Sequence, residues 1–430
     1  MHIFFSGIGG AAIGPLALIA RQAGFTVSGS DKQDSQYIAY LKNQGITDIA
    51  IGQTRAAIAA VHAREPIDWY VYSSAVIMEN PDAPELAFCR EQAIKMSKRD
   101  ELLNMILQEK RLKLLAIAGT HGKSTTTAMA IWLFKRIGVP VSYSVGAKLS
   151  YGDMGNYDEH AEYFIYEADE FDRNFLAFEP ELSIITGVTW DHHEIFPTRE
   201  DYQAAFREFM SQSKHTILWQ EDADYLGVDA RTAQVIASDD PRIHELHLKG
   251  LYNRLDAWLV IMAAHKITGS SIVTLMQHMD DFPGLQRRME QIAPNLYSDY
   301  AHTPEKIRGG MSVALEMAAD SGQQLVIVYE PLTDRRQHYM IDDYQDCFEG
   351  AAKVYWLPSY LAREDPNQAI LPPEELIAHL SNPSIATPME RDAQLKATIQ
   401  KHIAQGDMVV GMAGGGGNSL DEWLRREFTA

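Results

Sequence analysis

The sequence predicts an α/β protein of three domains, each built on a mainly parallel sheet. Short apolar segments alternate with helical patterns along the 430 residues, and such alternation is typical of parallel sheets. Two glycine-bearing turns each follow an apolar segment and open a helix, one at the N-terminus and one in the second domain. Pro283 and Gly284 then interrupt the pattern. We therefore place the domains at 1–110, 111–283 and 284–430.

The first domain opens with the predicted strand His2–Ser6, which leads into the turn Gly7–Gly10 and a helix. The glycines of this turn, with Ala12, match the dinucleotide-binding fingerprint. The next strand ends in Asp31, at a spacing that suits a ribose hydroxyl. This pattern predicts a nucleotide diphosphate or a similar anion at the helix N-terminus. A glycine turn needed only for helix–strand packing is the alternative.

The second domain opens with the apolar run Leu114–Ala118, which predicts a buried strand, and continues as Gly-Thr-His-Gly-Lys-Ser. Backbone N–H groups and a helix N-terminus then surround one point, which attracts phosphate oxygens. Lys123 adds a cation for the outer phosphates, and Ser124 adds a hydroxyl for Mg²⁺. Ile117 stands where the common P-loop spacing has a glycine, so the loop is a variant of that pattern.

Two later strands of the second domain end in polar side chains. One ends in Glu167 and Asp169, and a carboxylate beside a phosphate loop is the usual partner of Mg²⁺. Whether Glu170 and Asp172 form only a solvated acidic loop is left open. The other strand leads to His192, which we expect to hold a second metal or a substrate phosphate.

In the third domain, Asp299, Tyr300 and His302 follow a short predicted strand. An acid, an aromatic ring and a histidine at a strand end would contact the sugar and base of a nucleotide. The pair Arg287-Arg288 lies near the Pro–Gly hinge, where it would meet phosphate when the domains close. A surface basic pair is the alternative for these arginines.

Composition limits the partners and the compartment. The formal net charge is −20, which argues against nucleic acids and anionic membranes as partners of the general surface. Cys89 and Cys347 are the two cysteines and lie far apart in the sequence, as in proteins of a reducing cytosol. The sequence has no membrane-spanning apolar run and no leader pattern, so we expect a cytoplasmic protein.

These motifs together resemble those of the Mur ligases, the ATP-dependent amide-forming enzymes of peptidoglycan precursor synthesis. The phosphate loop, Glu167–Glu170, Asp191-His192, Arg287-Arg288 and Asp299–His302 follow in family order, and the resemblance covers the chain nearly end to end. It implies an N-terminal Rossmann-like UDP-sugar domain, a central P-loop ATPase-like domain with a parallel sheet, and a C-terminal Rossmann-like domain that carries amino-acid contacts and closes over ATP.

Within the family, the N-terminal glycine loop, Ser28–Asp31, Tyr72–Val76 and Lys98–Leu103 resemble the branch that adds L-alanine to UDP-N-acetylmuramate. The resemblance implies that UDP-sugar, not NAD, binds the first domain. It further implies ATP and Mg²⁺ as cofactors and an acyl phosphate as intermediate. The protein would act as a monomer or homodimer in cell-wall biogenesis, and thereby in cell shape and division.

The resemblance also assigns roles residue by residue. The catalytic residues would be Lys123, Glu167, His192 and Arg288. ATP would be bound by Gly119, Thr120, His121, Gly122, Lys123, Ser124, Thr125, Asn253, Arg288 and Asp299. The metal ligands would be Ser124, Glu167 and His192. UDP-sugar would be bound by Ser6, Gly7, Gly9, Gly10, Asp31, Ser73 and Ser74. The amino acid would be bound by His302, Arg335 and Arg336.

Three segments depart from the family pattern. Tyr252 and Asp256 stand where the adenine motif has His and Asn, and Thr303 stands where alanine-adding members usually have a second His. The segment Tyr329–Arg336 replaces Phe-Gln-Pro-His-Arg, so the amino-acid pocket is altered.

Other functions stay open. A recycling ligase that attaches a ready-made peptide to the same UDP-sugar is the nearest alternative, since Asp191–Pro197 resembles that branch. A non-catalytic nucleotide-binding scaffold is an alternative of another class. A dehydrogenase with NAD on the first glycine loop would leave the second loop unexplained.

Overall fold

The computed structural model describes residues 1–73, 76–77, 80–192, 195–359, 361, 368–414 and 418–429. The chain divides into two compact units, Met1–Asp240 with Asp256–Phe282, and Pro241–Leu255 with Pro283–Ala430. The first unit holds a five-stranded and a seven-stranded sheet, and the second holds a six-stranded sheet. The predicted class, α/β with three mainly parallel sheets, is confirmed.

The first sheet is parallel, in the order β3-β2-β1-β4-β5. Its elements are β1 His2–Ser6, α1 Ile13–Gln22, β2 Thr26–Asp31, α2 Gln36–Asn43, β3 Ile49–Ile51, α3 Arg55–Arg64, β4 Trp69–Tyr72, α4 Pro84–Glu91, β5 Lys95–Lys98 and α5 Arg99–Glu109. The predicted strand His2–Ser6 and the predicted strand that ends in Asp31 are both present. The edge strand β5 escapes prediction because its sequence, Lys-Met-Ser-Lys, carries little apolar signal.

The second sheet has the order β12-β11-β10-β6-β9-β7-β8, with β8 antiparallel. Its elements are β6 Lys113–Ala118, α6 Lys123–Arg136, β7 Val141–Ser144, β8 Gly155–Asn156, β9 Tyr163–Glu167, β10 Leu182–Ile185, α7 Arg199–Gln212, β11 Thr216–Trp219, α8 Gln220–Leu226, β12 Gln234–Ile236, α9 Leu251–Thr268 and α10 Ile272–Asp280. Short 3₁₀ segments lie at Phe171–Ala177 and Pro241–Glu245. Central β6 pairs with β10 and β9, so the turns that follow these three strands meet at one edge.

The third sheet has the order β13-β14-β18-β15-β16-β17, with β13 antiparallel. Its elements are β13 Glu290–Ala293, β14 Leu296–Asp299, α11 Pro304–Ser321, β15 Leu325–Glu330, α12 Asp334–Met340, β16 Lys353–Trp356, α13 Pro373–Ile377, β17 Ala386–Pro388, α14 Ala393–Gln405, β18 Met408–Ala413 and α15 Leu420–Phe428. Ile341–Tyr344 and Pro383–Ile385 are 3₁₀ segments. The short strand predicted before Tyr300 is present as β14, which ends at Asp299.

One apolar core joins the first two sheets. Leu16 of α1, Leu103 of α5 and Phe164 of β9 belong to the same buried cluster. The backbone N–H of Tyr157 also donates to the side chain of Gln22 at 2.7 Å. The start of α1 therefore has a fixed position relative to the carboxyl edge of the second sheet. Among the described helices, none is both long and apolar enough to cross a bilayer.

A buried acid in the second sheet gives a stability prediction. Asp222 of α8 accepts the backbone N–H of Val188 at 2.8 Å. Burial raises the pKa of Asp222 to about 6, although the hydrogen bond from Val188 opposes the shift. Because this pKa lies above that of an unfolded aspartate, ionisation of Asp222 costs stability as the pH rises through about 6. Asp222→Asn keeps the acceptor oxygen, so it should raise the free energy of unfolding at pH 8 by about 2 kcal/mol.

Urea denaturation at pH 4 and pH 8 would test this expectation. The gain should largely disappear at pH 4, where Asp222 is protonated in the folded state and about half protonated in the unfolded state. Asp224→Asn, an exposed position on the same helix, is the matched control and should change little at either pH. An equal gain for Asp222→Asn at both pH values would contradict the assignment.

Candidate active site

The loop between β6 and α6 depends on two glycines. Gly119 has φ +148°, and a Cβ there would lie 2.3 Å from the hydroxyl of Thr186. Gly122 caps α6 in the left-handed region at φ +78°. Thr120 fastens the loop, because its N–H donates to the carbonyl of Gly187 at 2.8 Å. The loop therefore curls over the carboxyl end of β10, with the N-terminus of α6 directed toward its centre, as the sequence predicts.

Lys123 is held inside this loop by a buried ion pair. Its Nζ lies 2.7 Å from Glu170, and it also donates to the carbonyl of Gly119. The side chain of Glu170 is 1% exposed and that of Lys123 is 15% exposed. Burial alone would lower the pKa of Lys123, but the negative charges of Glu170, Asp169 and Glu167 outweigh it and raise the pKa. Lys123 is therefore a cation at neutral pH.

His192 lies on the other side of the same carboxylate. Its Nε2 is 3.3 Å from Glu170, and its ring meets Phe171 edge-on, with centroids 5.2 Å apart. The backbone of His192 has φ +55°, and its N–H donates to Asp191 at 2.6 Å. Burial opposes ionisation of Glu170, but Lys123 and His192 outweigh burial and lower its pKa. Lys123, Glu170 and His192 thus lie in one row, with the carboxylate of Glu170 between the two nitrogen groups.

Ser124 and Glu167 are brought together as predicted. The Ser124 hydroxyl donates to Glu167 Oε1 at 2.7 Å, and the N–H of Gly146 donates to Oε2 at 2.7 Å. Two oxygens at this separation fit adjacent positions around Mg²⁺, which usually takes its other ligands from phosphates and water. Among the residues with described placement, no three His, Cys, Asp or Glu side chains form a metal cluster. The donor set therefore fits a cation held partly by nucleotide phosphates.

A cavity of about 240 Å³ connects this loop to the first sheet. Lys123 and Glu167 line it from the second sheet, and Ala11 and Ala12, at the start of α1, line it from the first. Arg99, at the start of α5, faces the same space. The cavity therefore lies between the two loops for which the sequence predicts anion binding.

Asp31, at the end of β2, accepts a hydrogen bond from the first glycine loop. Gly9 N–H donates to Asp31 at 2.8 Å, so the predicted residues Gly7, Gly9, Gly10 and Asp31 lie together. Ser6 is fully buried, and its hydroxyl donates to Glu85 at 2.9 Å, which turns this side chain away from solvent. Ser73 is partly buried at the end of β4. Ser74 lies outside the described residues.

In the second unit, Asp299 and the arginine pair lie close together. Asp299 accepts the N–H of Met289 at 2.9 Å, and burial raises its pKa although Arg288 opposes the shift. The guanidinium carbons of Arg287 and Arg288 lie 4.7 and 5.3 Å from the centroid of the Tyr300 ring. The predicted neighbours Arg288, Asp299 and Tyr300 therefore lie together.

The other residues of the second unit that are predicted to bind ATP or the amino acid have separate surroundings. Asn253 donates to the carbonyl of Lys249 at 2.8 Å. His302 is 3% exposed, and burial lowers its pKa well below the usual range, which makes it neutral. Arg335 is exposed and Arg336 is partly buried on α12. A neutral, enclosed His302 is poorly suited to bind a carboxylate by charge.

Glu170 and Arg99 belong to the site, although the sequence patterns alone assign them no role. The sequence leaves open whether Glu170 is a solvated acid, but it is the most buried acid of the site. Asp172, for which the same question is open, is partly exposed and pairs with Lys98. The signal that points to Glu170 is its place within the Glu-Ala-Asp-Glu motif. Arg99 lies in the segment Lys98–Leu103, which resembles the family but carries no assigned role.

Comparisons with known proteins agree with this architecture. The sequence profile of the Mur ligase family catalytic domain matches residues 2–111, and that of the Mur ligase middle domain matches residues 117–237. Together these two profiles cover more than half of the chain. The chain belongs to the Mur ligase family. Both glycine-bearing loops and the row Lys123–Glu170–His192 lie inside the matched regions.

Curated relatives of this Mur ligase match it over nearly its whole length. A UDP-N-acetylmuramate–L-alanine ligase from Roseiflexus castenholzii is 28% identical, covering 98% of this chain and 96% of the relative. One from Agathobacter rectalis is 28% identical, covering 99% and 98%.

Solved structures show the same fold. UDP-N-acetylmuramate–alanine ligase from Thermotoga maritima superposes with a TM-score of 0.74 at 21% identity, covering 99% of this chain and 98% of that one. A murein peptide ligase from Psychrobacter arcticus superposes with a TM-score of 0.65 at 22% identity, covering 100% and 98%.

The buried row gives a prediction for this Mur ligase. Glu170→Gln leaves Lys123 buried beside a neutral amide, which should cost about 3 kcal/mol of stability. A nucleotide phosphate would restore the missing negative charge. ATP should therefore raise the melting temperature of Glu170→Gln by more than it raises that of the parent, as measured by thermal unfolding with and without ATP.

Asp172→Asn is the matched control, because Asp172 is two residues away and pairs with the half-exposed Lys98. It should change stability by less than about 1 kcal/mol. Parent-like stability of Glu170→Gln, together with a parent-like response to ATP, would show that Lys123 does not depend on this acid.

Proposed function

We propose that this Mur ligase is an ATP-dependent enzyme that joins L-alanine to UDP-N-acetylmuramate through an acyl phosphate, in peptidoglycan precursor synthesis. One observation carries the proposal. A single cavity is lined by the phosphate loop with Lys123, by Glu167, and by the helix start that follows the first glycine loop. A sugar nucleotide on the first loop and ATP on the second would thus meet in one enclosed space.

The first chemical step joins two anions. An oxygen of the sugar's lactyl carboxylate attacks the γ-phosphorus of ATP, the P–O bond to the β-phosphate breaks, and ADP leaves. Lys123, fixed inside the loop, neutralises charge on the transferred phosphoryl group, as do the N–H groups at the start of α6. Arg288 and Asp299 of the second unit, with Asn253, are the proposed further contacts to ATP.

The second step forms the amide. The amino nitrogen of alanine attacks the acyl carbon, the C–O bond to phosphate breaks, and the nitrogen loses a proton as phosphate leaves. When bound beside Ser124 and Glu167, Mg²⁺ would supply positive charge to the phosphate oxygens. His192 is proposed to support a second cation. Arg335 and Arg336 are the proposed charged contacts to the amino acid, and His302 is a proposed contact as a neutral hydrogen-bonding group.

The choice of L-alanine is supported by the names of the curated relatives, whose lengths this chain nearly spans. The recycling reaction, with a peptide in place of alanine, is the competing proposal. A murein peptide ligase shares the fold at a TM-score of 0.65. His193 and Glu194, part of the segment that resembles this branch, lie outside the described residues.

A substrate screen tests the proposed reaction. Phosphate release is measured with ATP, Mg²⁺ and UDP-N-acetylmuramate against single amino acids and the tripeptide L-Ala-D-Glu-diamino acid. We expect release with L-alanine, and slower release with glycine or serine. Release with the tripeptide alone would assign the protein to the recycling reaction, and binding of the sugar nucleotide without turnover would favour a scaffold.

Removal of the loop cation tests the site itself. Lys123→Ala should lower the rate of ADP release by at least about 10²-fold, because an oriented charge at the transferred phosphate is lost. Lys113→Ala, at the exposed start of β6, is the control and should keep parent activity. The double variant Lys123→Ala/Glu170→Gln removes both buried charges. It shows whether activity falls because the cation is lost or because Glu170 is left buried without a partner. Parent-like turnover in either folded variant would contradict the assignment of Lys123.

A further inference from the structure

The cavity contains a cation that the steps above do not use. Arg99 and Lys123 are the two cationic side chains among the described residues that line it. Lys123 belongs to the phosphate loop, whereas Arg99 follows β5 of the first sheet, which carries the other glycine loop. Arg99 therefore lies on the side from which the sugar nucleotide would enter.

Asp169 holds Arg99 in position. The Nη2 of Arg99 donates to Asp169 Oδ2 at 3.1 Å, and Oδ1 of the same carboxylate accepts the N–H of Phe171 at 3.1 Å. The Nε of Arg99 lies 3.5 Å from Asp100, and the arginine side chain is 20% exposed. A guanidinium has five N–H donors in a planar fork, of which Nη2 gives one to Asp169 and Nε lies near Asp100. The remaining Nη donors can still receive a further carboxylate.

The charges of the cavity show why such a contact is needed. A substrate carboxylate bound in this cavity near Lys123 would lie close to Glu167 and Asp169, which line the same space. Like charges at a few ångströms repel strongly where water is scarce. A cation on the sugar side offsets this repulsion, and a guanidinium also fixes a carboxylate in one plane through two parallel hydrogen bonds.

We propose that Arg99 binds the acceptor carboxylate of the sugar nucleotide and directs it toward the phosphate loop. The inference rests on the proposed function, because it takes UDP-N-acetylmuramate as the substrate. It adds a specificity-determining contact: Arg99 distinguishes a sugar nucleotide that carries a carboxylate from one that does not.

Binding of two sugar nucleotides separates a carboxylate contact from other roles. UDP-N-acetylmuramate and UDP-N-acetylglucosamine, which lacks the lactyl carboxylate, are titrated by calorimetry into the parent and its variants. Arg99→Gln should weaken the binding of UDP-N-acetylmuramate by about tenfold or more, since a hydrogen-bonded charge pair is lost. The same substitution should leave the affinity for UDP-N-acetylglucosamine unchanged. Arg99→Lys keeps the charge without the fork and should fall between Arg99→Gln and the parent.

Lys98→Gln is the matched control. Lys98 adjoins Arg99 in the chain but pairs with Asp172, so its loss should leave both affinities unchanged. Retained binding of UDP-N-acetylglucosamine also shows that Arg99→Gln is folded. Equal weakening of both ligands, or no change in either, would overturn the role of Arg99. Failure of the parent itself to bind UDP-N-acetylmuramate would instead overturn the proposed function.

Discussion

The site depends on one buried carboxylate, that of Glu170. Its oxygens lie 2.7 Å from Lys123 and 3.3 Å from His192, and its side chain is 1% exposed. A buried carboxylate without its cation is costly, so the phosphate loop and the turns after β9 and β10 are stable only together. Glu170 supplies the negative charge with which Lys123 pairs inside the loop. A phosphate bound by this loop, as proposed, would share Lys123 with this acid.

The first unit contains two such pairs, in each of which an acidic side chain holds a cationic side chain in place. Arg99 is held by Asp169, as Lys123 is held by Glu170. Each pairing fixes a long side chain whose rotamer freedom is worth about 2 kcal/mol, so less conformational freedom is lost when an anion binds. The protein carries a net charge of −20, so its general surface repels anionic substrates. Lys123 and Arg99, held in fixed positions inside the cavity, provide local positive charge that opposes this repulsion.

Local sequence patterns predict the loops of the candidate site, but they do not predict which of its side chains are buried. The loop with Lys123 and Ser124 could be placed from the sequence because strand, glycine turn and helix are consecutive in the chain. Glu170 could not be assigned, because its burial depends on His192, more than twenty residues later in the chain. Ser6 was expected to face the substrate, but its hydroxyl turns to Glu85, 79 positions away. Both cases are contacts between distant segments, which periodicity and motif spacing do not encode.

Asp256, which departs from the family's adenine motif, lies beside the loop between β6 and α6. The boundary between the two units falls between Leu255 and Asp256, so Tyr252, which is 46% exposed, belongs to the second unit. Asp256 belongs to the first, where its carboxylate oxygens lie 3.0 and 3.1 Å from the place a Cβ on Gly122 would occupy. The family motif has Asn at this position, so Asp256 places a carboxyl group beside the loop that is proposed to hold phosphates. Glu170 and Glu167 already border that loop, so Asp256 brings a third acidic side chain close to it. The change therefore alters the charge balance of the phosphate site.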